Sequence, residues 1–516
     1  MSSTSQPLLG TRSTNPSVSA WWASRSRDVL SLLTVLLLLG TGLGIWVYGT
    51  LPTSDPSTNP HEYALSTDNI RRHLSKLLDI AREHNNSRSV TTGHSASGTY
   101  VLSQLERFGN CDAHKQRFVS PVWTVTQTPT LCVREPYRVD YIHETDFELM
   151  RYGGRSANIT RGRVAVARAC TADKVGDVGG RVVVVTSKCL LFETAFMLEQ
   201  MGARAVVFVR SAQYKQPSRA RVRLVEWREG DPLMTIPVLS ATHSVGQVLT
   251  HASRVDIETH SQIDEVETFN ILCVGRTGDP RNTIIVGAHL DSVRNGPGIN
   301  DNGSGSSSIL EIQLTLAHTK FDPHNRLVFA WWGAEEDGLL GSRHFVHTMA
   351  HNWTNKWSVY EPRIEWSDIA LDLNFDMLAS PNYIALVHNG TDAPRNARIG
   401  SQRIQRVFEN YFARHQYTYE VTDMRGGSDF LPFVQNGVPA GGVLTGAGEL
   451  KTIKERLVHG GLARAALDTC YHRDCDTLLN INIDALQKMS RAAMYAVSTL
   501  ASTVDLRGYL AGHPEF

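Results

Sequence analysis

The side chains in this sequence that could do chemistry recur at one kind of place, directly behind an apolar run. The run Thr283–Ala288, "TIIVGA", ends at His289, with Asp291 close by and Asp301 inside the following "GPGINDNGSG". The run Arg326–Trp332, "RLVFAWW", leads through Gly333-Ala334 into Glu335, Glu336 and Asp337. The run Ile369–Phe375 ends at Asp376. Imidazole nitrogen and carboxylate oxygen are donors that Zn²⁺ takes. Two such ions held about 3.5–4 Å apart need a bridging carboxylate and further ligands for each ion. His289, Asp301, Glu336 and Asp376 supply four side chains of the right types. His472, in "DTCYHRDCDT", is the candidate fifth. Its flanking Cys470 and Cys475 either form a disulfide that fixes this loop or add thiolate ligands. Singly, a histidine at a strand end or a pair of glutamates is more often structural or solvated. Their shared position behind apolar runs is what argues for a site.

For these residues to meet, the runs must be neighbouring strands. Continuous apolar runs of this length mark strands covered on both faces. A helix is expected over Ser306–His318, with Leu310, Leu314 and Ala317 on one face, and another over Ala485–Leu500. Further strands are expected at Ile384–Val387 and Ala440–Leu444. Strands alternating with helices imply an α/β fold with a largely parallel sheet. Open sheets of that kind place their sites beyond the carboxyl ends of the strands. His289, Asp301, Glu336 and Asp376 therefore emerge at one edge. Upstream, helices are expected at Thr67–Asn85 and Tyr100–Phe108. Residues 136–262 differ in texture: "RVAVARA", "RVVVVTS" and "RAVVFVR" are short β-rich runs, with one helix over Leu191–Met201. No cluster of histidines and carboxylates stands out among them.

Lys+Arg and Asp+Glu are equal at 51 each, so no global charge points to nucleic acid. The basic run Arg219–Arg228 reads as a solvated hairpin. Residues 1–28 are a polar tail, and their Leu8-Leu9 lacks the acidic residue of a sorting signal. Residues 29–51 carry no charge and are long enough to span a bilayer as a helix. Arg25 and Arg27 precede the run, and Trp46 and Tyr48 sit near its far end. The expectation is a single-pass type II anchor with a cytosolic tail, the catalytic part lying in a lumen or outside the cell. A cleaved signal peptide is the alternative, and either exports the bulk of the chain. Residues 52–62 form a Pro/Ser/Thr stem. Sequons at Asn85, Asn158, Asn352 and Asn389 agree with export. Six of the seven cysteines fall into sequence-near pairs suited to disulfides: Cys111 with Cys132, Cys170 with Cys189, Cys470 with Cys475. Cys273, in "FNILCVG", is left over as an expected buried thiol.

The stretches "VGAHLDS", "GPGINDNGSG", "FAWWGAEEDGLLGS", "LNFDMLASPN", "GGSDFLPF", "PAGGVLTGA" and "CYHRDCDT", in this order, resemble the co-catalytic di-zinc exopeptidases. The nearest resemblance is to secreted or vacuolar aminopeptidases of the aminopeptidase Y type, over roughly residues 65–505. The resemblance implies an α/β/α zinc-exopeptidase sandwich, with the peptidase domain built from residues 63–135 and 263–516. Residues 136–262 resemble the protease-associated domain inserted in many such enzymes. Two Zn²⁺ ions per subunit are implied, and peptides with a free N-terminus as substrates. His289 and Asp376 would be terminal ligands on one ion, Glu336 and His472 on the other, and Asp301 the bridge. Glu335 would be the general base, Tyr471 the oxyanion donor, and Asp291 the carboxylate that orients His289. A vacuole- or lysosome-like compartment would fit. The chain departs from some relatives at Gly427, where they place a substrate-contacting arginine, and in a longer stretch over 346–368. Asn302-Gly303-Ser304 is also a sequon, but beside Asp301 it is a poor place for a glycan. Carboxypeptidase or glutaminyl cyclase chemistry on the same fold, or a metal-free receptor-like homologue, are the competing readings.

Overall fold

The structure is a computed structural model and describes residues 60–222, 227, 230–351, 364–424 and 427–513. These fall within one compact unit, Asn59–Phe516. The expected membrane segment 29–51, the polar tail, stem residues 52–59 and the sequon at Asn352 lie outside the described residues. So does most of 346–368. Among the described residues no helix is long and apolar enough to cross a membrane.

A central group of strands carries the expected chemistry. Asp279–His289 lies between Asn325–Trp332 and Ile369–Phe375 and is parallel to both. Ile369–Phe375 is in turn parallel to Ala440–Leu444. Beyond these, Leu386–His388 is antiparallel to Ala440–Leu444 and parallel to Glu420–Thr422. Successive side chains of a strand face opposite sides. Ile284 and Val286 therefore enter one core with Leu310, Phe408 and Met489, while Ile285 enters another with Trp332, Phe345 and Phe433. Helices Thr67–Glu83, Gly305–His318, Arg398–Arg414 and Ile483–Ser502 cover the first face. Leu340–His351 and Phe430–Gln435 cover the second. This double coverage is why "TIIVGA" is apolar throughout. The expected helices appear with ends moved by a few residues; the second begins at His94 rather than Tyr100. The expected strand at Ile384–Val387 is observed two residues on, at Leu386–His388.

Two long strands were not expected. Cys111–Glu135 and Arg254–Gly275 pair antiparallel over nearly their whole length, and the second also pairs with Asn325–Trp332. This ribbon carries the sheet into a second group of strands, since Ala157–Ala167 pairs with its other end. Ala157–Ala167, Val182–Val185, Ala205–Val209 and Val238–Ala241 are successively parallel, and Phe147–Leu149 closes the edge antiparallel. Apolar cores lie on both faces of this second group. The strand Arg254–Gly275 runs uninterrupted through position 262.

The ribbon overturns one cysteine pairing. Cys111 and Cys132 lie on one strand, Cys111–Glu135, and residues that far apart along a strand are roughly 70 Å from each other. Disulfides span only about 4.4–6.8 Å between Cα atoms. Antiparallel pairing instead sets Cys111 opposite Gly275 and Ala113 opposite Cys273, and the observed bond is Cys111–Cys273. Cys132, not Cys273, is the buried free thiol. Cys170–Cys189 and Cys470–Cys475 pair as expected.

Candidate active site

The expected ligand positions lie at the carboxyl ends of the central parallel strands and on one further loop. His289 is the last residue of its strand and Asp376 follows Phe375 directly. Asp301 sits in the tight segment Ile299–Ser304 that leads into helix Gly305–His318. Glu336 sits in the turn after Trp332, and His472 in the loop closed by Cys470–Cys475. His289 Nε2 lies 3.2 Å from both Asp301 Oδ1 and Asp376 Oδ1. His472 Nε2 lies 3.1 Å from Asp301 Oδ2 and 3.2 Å from Glu336 Oε2. His289, Asp301 and Asp376 thus form one group of donors, and Asp301, Glu336 and His472 a second. Asp301 is common to both, offering one oxygen to each.

The backbone around these groups is tied down by side chains on several elements. Asp476, directly after the disulfide, accepts from the amides of Asn300 and Asp301 at 2.9 and 3.0 Å. It locks the Asp301 segment to the His472 loop. Ser428 donates to Asp376 Oδ2 at 2.6 Å and accepts from Asn374 at 2.8 Å. Asn302 is wholly buried; its amide donates to the Phe375 carbonyl and accepts from the Gly305 and Met377 amides. A glycan on Asn302 has no room. Gly296 lets its loop close on the other: a Cβ there would stand 2.2 Å from the Arg473 carbonyl oxygen. Gly298 has φ of 60°, a backbone that glycine adopts without cost.

Arg88 lies beneath the loop 290–298, fully buried. Its guanidinium donates to the carbonyls of Leu290, Pro297 and Gly298. Burial lowers it to about 10, and the charges of Asp291, Asp476, Asp301 and Glu336 oppose that. Asp291 also reaches the neighbouring turn. Its carboxylate accepts from the amides of Glu335 and Glu336 at 3.1 and 3.4 Å. His289 Nδ1 meets the Asp291 backbone carbonyl at 3.2 Å, while the carboxylate stands 3.8 Å away.

The electrostatics are those of a carboxylate-rich pocket. Burial pushes Asp291 up to about 8 and Asp429 to about 7. Glu335 is raised well above its ordinary value, first by burial and then by Glu336, Asp429 and Asp376 against the opposing His289. Burial alone would lower His289 and His472, but the surrounding carboxylates override it and hold both imidazoles up, His472 at about 10. Burial likewise would raise Asp301, yet its hydrogen bonds to the two histidines pull it below the usual carboxylate range. Tyr471 stacks on His472, ring centres 3.8 Å apart, and burial keeps its phenol protonated. Gly427 has open space where a side chain would stand.

Of the residues unforeseen in the sequence, Asp476 lay inside "CYHRDCDT" and Ser428 and Asp429 inside "GGSDF", stretches already noted. Arg88, in the polar "NNSRSVTT", carried no signal of its place.

The profile of peptidase family M28 matches residues 270–497, which hold all the expected ligands. An aminopeptidase of Pseudomonas aeruginosa is 34% identical over 457 residues, covering 85% of this chain and 81% of its own. Among solved structures, an aminopeptidase from Aneurinibacillus sp. strain AM-1 superposes with a TM-score of 0.65 at 17% identity, over 86% of this chain and 95% of its own. A zinc aminopeptidase from Bacillus subtilis gives 0.56 at 19% identity, over 86% of this chain and 96% of its own. These two share the fold. With the site and the full-length likeness together, the chain belongs to peptidase family M28 and is an aminopeptidase of that family.

Proposed function

We propose that the enzyme removes N-terminal residues from peptides using two zinc ions, with His289 and Asp376 on one, Glu336 and His472 on the other, and Asp301 between. The observation that carries this is Asp301, whose two oxygens face two different histidines at 3.2 and 3.1 Å. The donor set fits zinc: imidazole nitrogens and carboxylate oxygens converge with no Lys or Arg among them. Glu336 Oε1 is buried with no hydrogen-bond partner among the described residues, as an oxygen waiting for a cation would be.

When bound, zinc supplies a Lewis acid for the scissile carbonyl and lowers the pKa of an attacking water towards 7. Glu335 takes the proton from that water and gives it to the leaving amine. Tyr471, protonated at neutral pH, donates to the oxygen that gains charge. Asp291 holds the amides of Glu335 and Glu336 and so sets where both carboxylates point. The acidic surroundings favour a substrate's free α-amino group over a carboxyl terminus.

A digest of a peptide library with zinc and with chelator tests this. Trimming from the amino end, abolished by chelator, is expected, with two zinc ions per chain by elemental analysis. Trimming from the carboxyl end would overturn the proposal, and one zinc per chain would favour cyclase chemistry.

We further infer that residues 136–262 are a protease-associated domain and that 29–51 anchors the enzyme with its catalytic part outside the cytosol. The first is supported by the strand–helix–strand order around Leu191–Gln200, the second by the apolar sequence of 29–51. Three disulfides agree with an oxidising compartment.

A further inference from the structure

We propose that residues 136–262, the lobe built on the second group of strands, are part of the catalytic apparatus, with Arg151, Arg221 and Tyr152 positioning the loop that carries Glu335 and Glu336. The inference rests on the roles proposed above for those two glutamates. The Glu336 peptide is held from both sides. Its amide meets Asp291 of the peptidase core at 3.4 Å. Its carbonyl accepts from Arg151 Nη2 at 3.3 Å and from Arg221 Nη2, both in the lobe. One residue on, Asp337 accepts from the Tyr152 hydroxyl at 2.9 Å. Core and lobe thus grip the two peptide groups on either side of the Glu336 Cα.

The gripping residues are themselves fixed. Arg151 and Arg221 are backbone neighbours, bridged in parallel, and the Val222 amide donates to the Arg151 carbonyl at 2.8 Å. Tyr152 is 1% exposed and packs with Trp227 against Phe118, Ala334 and Leu340. Ala334 is the residue before Glu335. It has φ of 56°, and Leu339 at the far end of the turn has φ of 61°. Non-glycine residues hold such a backbone only where their surroundings enforce it. The Gly338 and Leu339 amides close the turn on the Glu335 carbonyl at 2.8 Å each. The outer wall of that strained turn is the lobe. The charges of both guanidinium groups also act on the half-buried Asp337.

The lobe therefore sets the position of the Glu336 carboxylate, and of Glu335 beside it, without touching substrate. The test is the Arg151→Leu/Arg221→Leu double variant of the full chain. Its kcat is expected to fall at least tenfold on an aminoacyl p-nitroanilide while KM moves less than threefold. The weaker zinc-binding step, read by chelator competition, is expected to loosen at least tenfold. Arg151→Lys/Arg221→Lys, which keeps donors on long stems, should recover most of the loss. A fall in kcat with unchanged zinc affinity still supports the clamp, through Glu335 alone. A double leucine variant with both zinc steps intact and kcat within threefold of wild type overturns the proposal. If that variant does not fold, Tyr152→Phe must lower kcat at least threefold, or the proposal fails. Glu336→Ala is measured alongside: if it keeps two zinc ions, the ligand assignment has failed, not the positioning role.

Discussion

Glu335 and Glu336 are adjacent in the chain yet sit in different surroundings. Glu336 is buried, with one oxygen 3.2 Å from His472 Nε2. Glu335 is partly exposed, with its carboxyl raised. A base that must reach substrate needs that exposure, and a ligand does not. Glu335→Gln is expected to fold and bind zinc normally while kcat falls about 10²–10⁴-fold, the usual contribution of a positioned acid–base group. Near wild-type kcat in that variant, by initial rates, would remove Glu335 from the mechanism. Arg88 illustrates the opposite kind of residue, essential to geometry and remote from substrate. Arg88→Met leaves the carbonyls of Leu290, Pro297 and Gly298 without their charged donor. Chemical denaturation should show a loss of about 3 kcal/mol or more, since hydrogen bonds to charged groups contribute about 1.5–3 kcal/mol each. A loss below about 1 kcal/mol would show that the loops hold without it.

At the level of elements, the ribbon Cys111–Glu135 with Arg254–Gly275 ties the peptidase strands to the lobe. Its Cys111–Cys273 bond closes a sequence separation of 162. Thiol titration should find no reactive thiol in the native protein and one, Cys132, in denaturant without reductant. Three reactive thiols would mean that Cys111 and Cys273 are not joined. Cys111→Ser/Cys273→Ser should cost about 2–5 kcal/mol of stability by denaturant titration, as loss of a native disulfide commonly does. The short Cys470–Cys475 loop works differently. It fixes Tyr471 and His472 rather than the fold, and Asp476 at its end reaches across to the Asp301 amide.

At the carboxyl ends of its central strands the molecule gathers several buried carboxyl groups, Asp291, Asp301, Glu336 and Asp429 among them. Zinc should raise the melting temperature strongly, because ligand binding adds about 2.7 kcal/mol at a hundredfold excess over Kd. Scanning calorimetry with and without chelator measures this, and equal melting points would argue against a structural hold by metal. The zinc-free protein should also depend on pH through Asp429, which is 1% exposed and raised to about 7 by burial. In the unfolded chain the same group titrates near 4. Its folded pKa is the higher one, so its contribution is full below pH 4 and is lost as pH rises to about 7. The slope is at most about 1.4 kcal/mol per pH unit. Asp429→Asn should flatten it in denaturation series between pH 4 and 7. An unchanged slope would assign the dependence to other carboxyl groups.

The sequence by itself pointed to the candidate ligand types and to the edge they share. Continuous apolar runs of this length fit doubly covered parallel strands, and such strands release their next residues at one end of the sheet. His289, Asp301, Glu336 and Asp376 followed from that rule. His472 followed only as the histidine still missing, since its loop belongs to no strand. What needed the tertiary structure were contacts between segments far apart in the chain. Cys111 finds Cys273 because antiparallel register, not sequence distance, sets which cysteines meet. Arg88 stands under loops more than two hundred positions away, and no local pattern records that. Arg221 belongs to a basic run that reads as a solvated hairpin, and Arg151 and Tyr152 carry no signal of their own; only the fold lays them against the Glu336 turn. Periodicity reports which way a side chain faces within its own element. Which partner it meets is decided by how the elements pack.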